Sequence, residues 1–221
     1  MNEGPVTPRP PETAEFGFVR AGGALHSYPD VGTTSVVKIA VGTFDNNVYV
    51  IRSRGQAIVV DAADEADRIL GDVEGLDVRA IVQTHDHRDH TRALKQLVAH
   101  LDCPVYSHPA DPMPVATRDI VEGDELRVGD ATLRAIHTPG HTPGSMCYLL
   151  DADGSLFSGD VLFPGGPGNT DGDPVRFTQA MDSLDRLFQL PDDTRVCPGH
   201  GLDTTIGRER PYLEVWRARG W

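Results

Sequence analysis

The feature that most constrains this chain is the break after Thr84. Residues 78–84, VRAIVQT, are largely apolar and stop against His85-Asp86-His87-Arg88-Asp89-His90, three imidazoles and two carboxylates in six residues. A continuous apolar run of that length reads as a strand buried on both faces. Such a strand can deliver a polar cluster only where its end opens onto a site, so the chain must build a covered sheet with chemistry at its edge. Just past a strand, His-x-His projects both rings to one side, where they can share a cation. Imidazole nitrogen with carboxylate oxygen is the donor set suited to zinc, iron or manganese, whereas calcium prefers oxygen alone. With nine histidines in 221 residues, three rarely fall by chance in one six-residue window.

The same arrangement recurs along the chain. Thr138-Pro139-Gly140-His141-Thr142-Pro143-Gly144-Ser145 sets a histidine in a rigid turn, Ser158-Gly159-Asp160 ends an apolar strand in a carboxylate, and Pro198-Gly199-His200-Gly201 follows a third strand with another histidine. Each alone reads as a turn; together they read as one site assembled from several strand ends. His26, His100, His108 and His137 are expected to be structural or exposed.

The rest of the pattern supports sheets covered by helices, an α/β (α+β) architecture. Strands are expected at 36–41, 47–53, 57–62, 78–84, 104–108, across 119–136, and at 146–150, 155–159 and 194–198. Helices are expected at 64–70 with Asp64 as cap, at 91–101, at 174–187 and at 207–217. Residues 1–30 read as a partly irregular N-terminal arm and 31–221 as a single domain. The first 20 residues hold four prolines and no apolar segment, unlike a secretory leader. There is no GxGxxG or P-loop fingerprint, so dinucleotide and P-loop readings lack their support.

Charge and cysteines bound the partners. Twenty Lys and Arg against 33 Asp and Glu leave a net charge of −13, which disfavours a phosphate-backbone or anionic-lipid partner. No apolar run approaches a membrane span. Cys103, Cys147 and Cys197 are an odd number without CxxC spacing, which points to a reducing, cytoplasmic setting.

His85-x-His87-x-Asp89-His90, His141 in TPGHTPGS, Asp160 in FSGDVLF and His200 in PGHG resemble the metallo-β-lactamase-fold hydrolases, and the flanking words are most similar to the glyoxalase II branch. The resemblance runs from about residue 36, through Asn47-Val48-Tyr49, to Thr204-Thr205. It implies a four-layer αβ/βα sandwich with metals at the sheet edge. It implies one divalent ion held by His85, His87 and His141, and a second by Asp89, His90 and His200, with Asp160 bridging. Zinc is the first expectation, with iron or manganese as alternatives. Asp86 and Asp89 are then the candidate catalytic carboxylates, Asp86 for orienting a ligand or handling protons.

The implied activity is hydrolysis of a small thioester by metal-activated water, on a small and locally anionic substrate. A mononuclear-iron persulfide dioxygenase, using His85, His141 and Asp160, is similar in the same motifs, and a lactonase of this fold stays open. There are departures too. Thr91-Arg92 replace a common Gly-Gly pair, and Arg88 replaces a small residue, so Arg88 is a candidate for the substrate mouth. Asn169 stands in a Gly/Pro-rich loop, expected as a rim, where related sequences often carry arginine. Only 21 residues follow His200. A thiol other than glutathione is therefore an equal expectation.

Overall fold

The strand pattern alone fits a Rossmann-like sheet as well as a two-sheet sandwich; the two sheets that the resemblance implies are present in the computed structural model, which describes residues 8–220. The first sheet runs in chain order: β1 (His26–Ser27), β2 (Thr34–Val41), β3 (Asn46–Ser53), β4 (Gln56–Val60), β5 (Asp77–Val82), β6 (Val105–Ser107) and β7 (Arg118–Asp119). Its first four strands pair antiparallel and the rest parallel. The second sheet uses β8 (Glu125–Val128), β9 (Ala131–His137), β10 (Met146–Leu150), β11 (Leu156–Gly159), β14 (Arg195–Pro198) and β15 (Thr204–Thr205), in the order β15-β14-β11-β10-β9-β8. Between β11 and β14 in sequence lies a small hairpin, β12 (Leu162–Phe163) with β13 (Gly166–Pro167).

Side-chain alternation divides the molecule into four layers. In β3, Tyr49 and Ile51 point to the space between the sheets, where they meet Leu133, Met146, Tyr148 and Phe157 of the second sheet. Val48 and Val50 point the other way and pack with Ile69, Leu94 and Leu97 of covering helices α1 (Ala66–Asp72) and α3 (Leu94–His100). On the far side Cys147, Leu156 and Val196 pack with Leu184, Leu187 and Trp216 of α4 (Pro174–Leu187) and α6 (Leu213–Arg219). The period of two along each strand thus yields helix, sheet, sheet, helix. No helix among the described residues is long and apolar enough to cross a membrane.

The α4 boundaries agree with the sequence reading. The Asp173 carboxylate accepts hydrogen bonds from the amides of Val175 and Arg176, and Pro174 opens the helix where its missing N–H costs nothing. Three other helices differ. The segment expected at 91–101 is split into α2 (Arg88–Thr91) and α3, because the amides of Arg92 and Ala93 donate to the carbonyls of Ala63 and Ala62 at 3.0 Å each. Helix α1 begins two residues late: its cap is Glu65 in a left-handed conformation, and Asp64 instead accepts the Glu65 amide. The last helix is broken by Pro211 into α5 (Ile206–Glu209), a 3-10 turn and α6.

The expected arm is partly ordered into the fold. Residues 1–7 lie outside the described residues, but β1 pairs with β2 and Tyr28 is buried between the sheets.

Candidate metal centre

Five strand ends and turns meet at one edge shared by the two sheets: those carrying Asp61, His85–His90, His141, Asp160 and His200. The sheets are stitched there by backbone bonds from Asn47 N to Gly199 O (2.7 Å) and from Met146 N to Thr84 O (2.8 Å), and within the second sheet Gly199 N donates to Gly159 O (2.8 Å). Gly199 is required by close approach. A Cβ there would lie 2.3 Å from Asp160 Oδ1 and 2.6 Å from His90 Cε1. Gly159 holds a left-handed turn (φ 46°) against Thr84.

The seven residues singled out as ligands converge. Three overlapping groups, His85/His87/His141, His85/His90/Asp160 and Asp89/His90/His200, each have donor atoms within 4.8 Å of one another. His141 Nε2 lies 2.9 Å from His87 Nδ1, and His90 Nε2 lies 3.1 Å from His200 Nε2. Asp160 sits between them, 3.6 Å from His141 Nε2 and 3.4 Å from both His90 and His200 Nε2. Such a cluster is able to hold two metal ions.

The outward nitrogen of four rings is committed elsewhere, which leaves the other to face the cluster. His85 Nδ1 donates to Thr84 Oγ1 (2.9 Å), His90 Nδ1 to Asp61 Oδ2 (2.9 Å), His141 Nδ1 to the Asn169 carbonyl (2.7 Å) and His200 Nδ1 to the Phe44 carbonyl (2.8 Å). His85 Nε2 and Asp160 Oδ1 are buried with no hydrogen-bonding partner. Buried polar atoms are normally satisfied, so two orphans aimed into one cluster of donors fit a cation there.

The electrostatics separate the histidines. Burial, reinforced by the neighbouring imidazoles, drives His85 well below its ordinary value and lowers His141. Burial opposes charge at His90 too, yet Asp160 and Asp61 outweigh it and raise that ring well above its usual range. His200 is raised, its burial outweighed mainly by Asp160. The Asp160 carboxyl, despite burial, is held well below the carboxylate range by the imidazoles around it. Asp89 is also lowered: burial opposes its charge, and the Asn46 amide donating to Oδ2 at 3.0 Å helps to offset that.

Asp86 stands half-buried, its carboxyl raised by burial and by the charge of Asp111, and it is not among the groups that hold the ligand rings. Arg88 is exposed on α2 between His87 and Asp89. Asn169 is exposed; its side chain closes a local turn with Asp171, and its carbonyl is what supports His141. Its loop continues directly from the β12–β13 hairpin, whose Phe163 ring lies 6.2 Å from that of His200.

Several supporting groups escaped the sequence reading. Asp61 accepts from the Thr84 amide (2.7 Å), the Thr84 hydroxyl (2.8 Å) and His90, so one buried carboxylate orients two ligands. Its signal, an acid ending the apolar run AIVVDA, is the one that marked Asp160. Asp111 accepts from the Thr142 hydroxyl (2.6 Å) and the Gly144 amide (2.7 Å), and Arg176 donates to the carbonyls of Gly140 and His141. Both brace the turn that carries His141.

Comparison with known proteins places this geometry. The description of the metallo-beta-lactamase superfamily matches residues 41–200. A hydroxyacylglutathione hydrolase of Hahella chejuensis is 38% identical over 161 residues, which are 71% of this chain and 62% of that protein. The chain thus spans less than two thirds of that enzyme's length. Among solved structures, ETHE1 from Myxococcus xanthus is 33% identical with a TM-score of 0.72, covering 80% of this chain and 81% of its own. A protein crystallised in a di-iron-bound form is 35% identical with a TM-score of 0.68, covering 78% of this chain and 96% of its own.

Proposed function

The chain belongs to the metallo-beta-lactamase superfamily, and on that premise we propose that it is a two-metal hydrolase of small thioesters. The observation that carries the two-metal reading is the set of overlapping donor groups with two orphaned buried atoms between them. His85, His87 and His141 would hold one ion and Asp89, His90 and His200 the other, with Asp160 between. When bound, such ions supply Lewis acidity toward a carbonyl oxygen and an activated water. Zinc is the ion we propose first; the di-iron relative keeps iron in view.

The protein's own residues do the rest. Thr84, Asp61 and the carbonyls of Asn169 and Phe44 hold four rings in one tautomer. We propose Asp86, between His85 and His87 in sequence and half-buried, as the group that would take the proton from the activated water and return it to the leaving thiolate. Asp89 is a metal ligand in this reading, held in its charged form by Asn46. Arg88 would border the mouth and favour an anionic substrate, and Asn169 would line the rim beside it. No thiol nucleophile is required: Cys147 and Cys197 are buried between or behind the sheets, and Cys103 packs under the opposite helix layer.

The thioester class is supported by the likeness to a hydroxyacylglutathione hydrolase, and the shorter span relative to that enzyme leaves the thiol carrier open. We propose a small-molecule substrate, no nucleic-acid or membrane partner in view of the −13 charge, and a cytoplasmic location in keeping with three free cysteines. The test is metal content of freshly purified protein, then turnover of a panel of acyl-thiol esters and lactones with an oxygen electrode in the cell. Two metals per chain and thioester cleavage without oxygen uptake are expected. One iron with oxygen consumption would establish the dioxygenase instead, and cleavage of lactones alone would overturn the thioester class.

A further inference from the structure

We propose that Lys38 is a positioning residue for the second half of the metal centre, acting through the Gly201 carbonyl on the loop that carries His200. Lys38 is one of two lysines in the chain. It lies in the middle of β2, fully buried, facing away from bulk water toward the PGHG loop. Its ammonium donates to the Gly201 carbonyl at 2.7 Å and to Asp203 Oδ1 at 2.8 Å, and stands 5.8 Å over the Tyr49 ring.

The two carbonyls that bracket Gly199-His200 are both clamped from the first sheet. Pro198 O accepts from Tyr49 Oη (2.8 Å) and Asn47 Nδ2 (2.9 Å), while Gly201 O accepts from Lys38 and from Asn47 Nδ2 (3.0 Å). His200 itself depends on this backbone. Its side chain is 23% exposed, against 0% for His90. Outside the ligand cluster its ring is hydrogen-bonded to the Phe44 carbonyl.

Stability does not account for this lysine. Removing an ammonium and a carboxylate from water costs about as much as their attraction returns, and apolar side chains of similar volume do as well or better. An apolar pair could not donate to a carbonyl. The rest of the molecule keeps the pair buried and aligned, and Arg195 stands 3.6 Å from the other Asp203 oxygen. Tyr28 Oη donates to Asp203 Oδ2 (2.8 Å), and the Asp203 amide donates to the Phe16 carbonyl (2.9 Å). Gly17 (φ 58°) lies so close that a Cβ would be 2.3 Å from the carboxylate. The N-terminal arm thus closes over the network that seats His200.

The inference rests on the two-ion reading of the centre, not on the substrate. The test is cobalt(II) titration of metal-stripped full-length protein, followed by visible absorption and chelator competition. It uses wild type, Lys38→Met and the double variant Lys38→Met/Asp203→Leu, which replaces the whole pair by apolar groups. Wild type is expected to take two cobalt ions. Both variants should bind the first with unchanged affinity and spectrum, and the second at least ~10-fold more weakly, the scale seen when a group behind a metal ligand is lost. Two wild-type affinities in the folded double variant would overturn the inference and leave the two-ion centre intact. A single cobalt in wild type would overturn both. Failure of the double variant to fold would also overturn it, since the pair would then serve the fold itself.

Discussion

Asp61→Asn tests how the centre is oriented with an almost isosteric change. In the native protein one carboxylate oxygen accepts from the Thr84 amide at 2.7 Å, and the other accepts from the Thr84 hydroxyl at 2.8 Å and from His90 Nδ1 at 2.9 Å. An asparagine keeps the first bond and turns an NH2 toward the other two donors. His90 Nδ1 must then become an acceptor, and its proton moves to Nε2, the atom 3.1 Å from His200 Nε2. That is the nitrogen needed for a metal. Thr84 must reorient as well, which loosens its hold on His85. Loss of such a partner weakens metal binding by about 10–100-fold, or about 1.4–2.7 kcal/mol at 1.36 kcal/mol per decade. Two charge-assisted hydrogen bonds at about 1.5 kcal/mol each give about 3 kcal/mol of lost stability in the metal-free protein. For a chain of this size that lowers Tm by about 6–12 °C. Chelator competition and thermal melts by circular dichroism measure the two quantities. Wild-type metal affinity in a folded Asp61→Asn protein would refute the reasoning, because His90 would then not owe its tautomer to Asp61.

Three further changes probe the site and its frame. Gly199→Ala places a methyl against Asp160 and His90 without backbone strain, since its φ is not positive; metal content should fall below one ion per chain while far-UV circular dichroism stays native. Asp173→Ala removes the α4 cap and should lower stability by about 1 kcal/mol in urea titrations, with a smaller effect on metal content. His108, stacked on His137 with centroids 4.1 Å apart, is lowered by burial and by that second ring, with Asp111 and Asp119 opposing. The unfolded state therefore binds the His108 proton first, and stability falls as pH drops below 6.5 toward the folded value. His108→Phe keeps the stack and should flatten the urea midpoint between about pH 7 and 5.5; an unchanged slope would assign the acid sensitivity elsewhere.

Much of the centre was legible because its donors follow strands. An apolar run that ends in His or Asp carries its own evidence, and His85, His87, Asp89, His90, Asp160 and His200 announced themselves in this way, while His141 stood out in its Pro/Gly turn. Asp61 carried the same signal as Asp160 and was absorbed into its strand, because the small apolar residues run on past it to Ala62 and Ala63. The α4 helix was readable to the residue because Asp173-Pro174 states its beginning locally. Helix α3 was not, because the amides that end α2 are diverted to Ala62 and Ala63, roughly thirty residues back in the chain.

The sequence by itself determined the layered class, the donor set and the chemistry such donors permit. These depend on residue type and on short spacings along the chain. Only the tertiary structure decided how the donors are held: which ring nitrogen faces the centre, that Asn169 serves through its carbonyl, and that Lys38 and Asp203, 165 positions apart, meet at 2.8 Å behind His200. The reason is physical. Hydrogen-bond direction and desolvation depend on which chain segments the two sheets bring together, and no local pattern records that.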